Sequence, residues 1–112
     1  MHCIGDNKTL KEIAIEAHNS VCRLLGDISK RNVKKAKDTV GIAYERLKNT
    51  NNDLKRWGYP ISENSILRLK EDMYFLDALL SYLEKRDETS IRHLYLWSCS
   101  PYKGIVDEVL SK

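Results

Sequence analysis

An antiparallel all-α bundle of four to five helices is the fold predicted for this 112-residue chain, and three observations lead to it. Apolar residues recur at spacings of three and four through most of the sequence, the repeat of one helical face. Only two prolines and five glycines interrupt it, which leaves long stretches free of helix breakers. Between Met73 and Leu83 only Asp77 and Ser81 are polar. Apolar side chains there cover roughly 260° of a helical wheel, against the stripe of about 100° that a surface helix needs. Such a helix must be covered on more than one side.

Each element has its own start and stop. Thr9 with Glu12 matches a capping box, and Leu10, Ile13, Ala17, Val21 and Leu24 follow at helical spacing, which predicts a first helix over 10–25 ended by Gly26-Asp27. Val33, Ala36, Val40, Ala43 and Leu47 define a second helix over 30–48. The run Asn49-Thr50-Asn51-Asn52 is composed of poor helix formers, yet the register continues through Thr50, Leu54 and Trp57, so 49–57 stays open between helix and loop. Gly58 and Pro60 are a stop in either case. A third helix starts near Ser62 or Ser65 and covers about 63–85, with Ile66, Leu69, Met73, Leu76, Leu80 and Leu83 as its heptad edge. Thr89 or Ser90 is expected to cap a short helix over 90–98, and Ser100-Pro101 to start a last one over 101–111. Short connections favour antiparallel neighbours packed near-parallel to one another. The expectation is a single domain over 1–112, large enough to bury a core without metal or disulfides.

No apolar run approaches a membrane span, and the N-terminal stretch lacks an apolar signal core. Cys3, Cys22 and Cys99 are odd in number and unclustered, which favours reduced thiols in a cytoplasmic protein over a disulfide framework. The formal charge of +3 is unevenly spread. Residues 29–57 carry nine Lys or Arg against three acids, whereas the segments on either side are slightly acidic.

That basic segment is one candidate site. Lys30, Arg31, Lys34, Lys37, Lys48, Lys55 and Arg56 could neutralise the phosphates of a nucleic acid or another polyanion. Against this, Asp38 and Glu45 fall in the middle of the exposed face, and Lys34 can pair with Asp38 one turn on, as on an ordinary solvated helix. Trp57 reads more readily as a core anchor at a helix end than as a base-stacking platform. A second candidate is the apolar edge Phe75, Leu79 and Tyr82, which needs either the short C-terminal helices or a partner subunit to cover it. His18 and Cys22, four residues apart, suit zinc if His2 and Cys3 fold back onto them, but a terminal segment is a poor source of ligands.

Catalytic signatures are absent: there is no Glu-x-x-His pair, no glycine-rich phosphate loop and no nucleophile elbow. The sequence therefore points to no enzyme activity, cofactor, resident metal, small-molecule ligand or membrane. The leading expectation is a helical interaction or assembly module that associates with itself or with another protein. Accessory nucleic-acid binding through the basic segment is the alternative.

Overall fold

In a computed structural model, which describes residues 10–59 and 63–111, three long helices pack side by side and two short ones close one edge. Helix α1 spans Leu10–Cys22 and tightens into a 3-10 turn at Arg23–Leu25. Helix α2 spans Lys30–Arg56, α3 Glu63–Lys85, α4 Glu88–Tyr95 and α5 Lys103–Leu110. The helices form the expected all-α bundle. Ion pairs Lys30–Glu84 (3.4 Å), Lys37–Asp77 and Lys55–Glu63 (3.5 Å) run the length of the α2–α3 seam and fix the two as antiparallel. Helix α1 packs against both α2 and α3, α4 packs on α3, and α5 reaches the 3-10 turn after α1. Among the described residues no helix is long and apolar enough to cross a membrane.

Helix α2 is unbroken through the asparagine-rich stretch. At 27 residues it is about 40 Å long. Local propensity is overridden because Leu47 and Asn51 are buried and Leu54 is half-buried against the bundle, and helix stability in proteins comes mostly from packing. Ser29 caps its start by accepting the Asn32 N–H at 3.3 Å. At its end the Gly58 N–H donates to the Lys55 carbonyl (3.2 Å) and the Tyr59 N–H to the Leu54 carbonyl (2.9 Å), with Gly58 at φ 80°. This is a Schellman termination, which uses glycine because the left-handed backbone crowds any Cβ.

The short helices begin differently from the sequence expectation. Asp87, not Thr89 or Ser90, caps α4: its carboxylate accepts the Ser90 N–H at 2.8 Å while the Asp87 N–H donates to Ser90 Oγ at 3.1 Å. Hydrogen bonds from the Ser90 backbone and side chain hold the Asp87 carboxyl below its ordinary pKa. Helix α5 starts at Lys103 rather than at Pro101, without a side-chain cap. Tyr102 turns into the core instead and is only 2% exposed. The Thr9 capping box, the Ser62 start and Pro60 lie outside the described residues.

The buried face of α3 also differs from the heptad edge. Leu69, Asp72, Phe75, Leu76, Ala78, Leu79 and Tyr82 are buried, whereas Ile66, Met73, Leu80 and Leu83 are half-buried at its margin. The core therefore takes in Leu69 and Leu76 of the heptad edge together with the edge proposed as an interface. Phe75 stacks on Tyr102 (centroids 4.5 Å apart) and meets Trp97 edge-on at 5.9 Å. The Arg86 guanidinium lies 5.5 Å from the Tyr82 ring. Phe75, Leu79 and Tyr82 are 0%, 0% and 7% exposed, so the expectation that this edge docks a partner is corrected: it is buried within the chain, with Trp97 and Tyr102 covering Phe75.

Candidate functional site

The seven cations of the basic segment are divided by the structure. Lys30, Lys37 and Lys55 face acids of α3 across the helix seam. Lys48 lies 5.9 Å from the ring centroid of Tyr44 on its own helix. Arg31, Lys34 and Arg56 are exposed. Lys30, Lys34 and Lys37 line one groove together with Asp38 and Glu84, and Lys48, Lys55 and Arg56 lie farther along the helix. Asp77, one of the two polar residues of the apolar run, is half-exposed and paired with Lys37.

At the end of α2 the arrangement is more specific. Trp57 is 72% exposed and Tyr59 74%, so Trp57 is not the core anchor its helix-end position suggested. The reason is local. The Schellman turn reverses the chain immediately after Arg56, and Trp57 falls one residue before the position, 58, that would continue the inward stripe of Leu47, Asn51 and Leu54. The same turn fixes the backbone beneath both rings. Lys55 and Arg56 precede them directly in the chain, and all four side chains are exposed at the end of α2.

A second constellation escapes a reading of the sequence alone. Asp72 is fully buried, and burying a carboxylate is costly unless it is well partnered. Both its oxygens are engaged. The Tyr102 hydroxyl donates to Oδ1 at 2.5 Å, and His18 Nδ1 lies 3.0 Å from Oδ2. Burial, followed by the hydrogen bond and charge of Asp72, raises the Tyr102 pKa far above its ordinary value, so the phenol stays protonated. On the outer side of the imidazole, Arg68 Nη1 is 3.4 Å and Cys22 Sγ 3.9 Å from His18 Nε2. The tautomer with Nδ1–H donating to Asp72 leaves the single Nε2 lone pair facing the guanidinium and the thiol.

The network ties α1, α3 and the segment before α5 together. Its signal is present in the sequence: Asp72 stands three residues after Leu69 and four before Leu76, inside an apolar stripe, and His18 borders the Ala17–Val21 stripe of α1. The heptad assignment hides it, because that edge runs through Met73 and leaves Asp72 outside. The zinc arrangement gains no further ligand among the described residues, where no group of three or more His, Cys, Asp or Glu could hold a metal. His2 and Cys3 lie outside them.

No protein-family model matches the chain, and no curated protein or solved structure is significantly similar to it.

Proposed function

We propose that the protein binds single-stranded nucleic acid at the end of α2, with Trp57 and Tyr59 as stacking surfaces and Arg56, joined by Lys55 as it exchanges Glu63 for a phosphate, as phosphate contacts. The observation that carries this reading is the exposure of both rings beside adjacent cations on a fixed turn. Every base offers a π-face to an aromatic side chain, and stacking contributes about 1–3 kcal/mol per base without demanding a particular sequence. Lys48, two turns before Lys55, extends the positive charge along α2. Covering Phe75 and Leu79 within the chain removes the main motive for a partner on the central helix, which moves the nucleic-acid reading ahead of the protein-interaction one. The exposed, unbridged thiols Cys22 and Cys99 support a reducing compartment such as the cytoplasm.

Titration with oligo(dT) or oligo(U), followed by tryptophan fluorescence, tests the proposal. Trp97 is half-buried in the core and serves as the unresponsive reference, so quenching should come from Trp57 and be lost in Trp57→Phe/Tyr59→Ala. With about three phosphates neutralised, log K should fall with log salt at a slope near −2. Absence of binding at low salt and high micromolar protein would end this reading.

A self-associating assembly module is the second reading, and one observation favours it. On the outer face of α2 and α3, Ile42 is 62% exposed beside Gly41, where a Cβ would meet only open space, and Met73 lines the same groove. A second copy of the chain could seat an apolar side chain there. Light scattering on a sizing column, comparing wild type with Ile42→Glu, decides it: a strict monomer at high micromolar concentration rejects the assembly.

A further inference from the structure

We propose that Cys22 is a nucleophilic thiol served by His18, and that it accepts acyl groups from activated esters or thioesters. Four side chains from three parts of the chain run from the core to the surface. Tyr102 and Asp72 are buried, the His18 side chain is 20% exposed, and Cys22 is at the surface. The contacts follow the same order: phenol to carboxylate at 2.5 Å, carboxylate to Nδ1 at 3.0 Å, and Nε2 to thiol at 3.9 Å. Nucleophile, base and orienting acid within reach of one another are the geometric signature of covalent catalysis, and the contacts are commonly longer before substrate binds.

A purely structural staple would explain only half of this. Joining α1 to α3 requires the Nδ1–Asp72 bond, but it does not require Nε2 to face a thiol and a guanidinium at the surface. Asp72 fixes the tautomer that leaves the Nε2 lone pair directed outward, which is the form able to take a proton. Tyr102 and Asp72 are positioning residues in this scheme, whereas Cys22 and His18 touch the reacting atoms. A groove of about 280 Å³ between α1 and α3 adjoins the imidazole, with Ala14 and Ile15 offering apolar wall and Lys11 and Arg68 offering positive charge. It suits a short acyl chain.

The step balances without any further reagent. His18 Nε2 takes the thiol proton while Sγ attacks the acyl carbon. The bond from that carbon to the leaving oxygen or sulfur breaks, and the departing alcohol or thiol receives the proton from His18. Arg68, beside Nε2, supplies N–H donors for the negative charge that develops on the carbonyl oxygen. Water, activated by the same imidazole, then releases the acid and restores the thiol.

The test uses p-nitrophenyl acetate on the full chain, with peptide mass mapping to compare acetylation of Cys22 and Cys99 in the same molecules. In the native protein Cys22 should acetylate at least about tenfold faster than Cys99, the low end of general-base acceleration. In denaturing urea the ratio should fall to about one, a comparison that needs no variant. His18→Gln, checked for retained helicity by circular dichroism, should remove the preference and leave the Cys99 rate unchanged. Equal rates in the native protein, a preference that survives urea, or one that survives His18→Gln would each overturn the proposal.

Discussion

Tyr102→Phe isolates the buried polar network from the packing around it. The substitution keeps the ring that stacks on Phe75 at 4.5 Å and meets Trp97 edge-on at 5.3 Å, and deletes only the hydroxyl that donates to Asp72. Asp72 Oδ1 is then left buried without that donor. Hydrogen bonds to charged groups contribute about 1.5–3 kcal/mol, and a stranded buried acceptor carries its full desolvation cost. For a chain of this size each kcal/mol shifts Tm by about 4 °C, so a fall of about 6–12 °C is expected. Thermal and urea unfolding followed by circular dichroism measures it. The pH dependence supplies a second check. Folding raises the Tyr102 pKa, so the protonated phenol stabilises the native state fully below the unfolded value near 10, and that contribution is lost as pH rises above it. The gap between wild type and Tyr102→Phe should therefore narrow by up to about 1.4 kcal/mol per pH unit above pH 10. A gap under about 0.5 kcal/mol at neutral pH, or one that does not change up to pH 11, would refute the account of Asp72 as a partner-dependent buried charge.

Other substitutions probe separate parts of the structure. Phe75→Ala removes a fully buried ring with two aromatic neighbours, and urea unfolding should show a loss of about 3–5 kcal/mol. Gly58→Ala places a Cβ on backbone at φ 80° and should cost about 1 kcal/mol by the same measurement. Asp77→Asn should change stability by less than about 0.5 kcal/mol, because its partner Lys37 and the carboxylate are both well solvated, whereas Asp72→Asn should cost several times as much. Equal effects at the two aspartates would contradict the burial that separates them.

Much of the fold is legible in the sequence because helical periodicity and breakers are local signals. The Gly26-Asp27 break, the Gly58 stop and the span of α3 all follow from residues within a turn or two of the boundary. The features that differ depend on contacts made far along the chain. Helix α2 crosses the asparagine-rich stretch 49–52 because Asn51 is buried in the bundle, and α5 starts late because Tyr102 is drawn to Asp72, 30 residues earlier. Trp57 differs for the opposite reason. Its size suggests burial, but one residue of register and a left-handed glycine decide that it faces water.

The choice of stripe on α3 has the largest consequence. Two edges of that helix are apolar, and the one with strict heptad spacing draws attention away from the one that contains Asp72. A charged residue inside an apolar stripe costs stability unless partners meet it from other elements, so its position in the stripe by itself implies such partners. His18 on α1 and Tyr102 ahead of α5 meet that requirement from either side of α3. The network consequently fixes how three distant segments approach one another, and it does so with groups whose geometry must be satisfied together. An apolar residue at position 72 could fill the same space, and replacing a buried charge with its partners by well-packed apolar groups is often neutral or stabilising. Stability alone therefore does not account for an aspartate there, whereas holding the outward nitrogen of His18 beside a surface thiol does give the carboxylate something that an apolar side chain cannot supply.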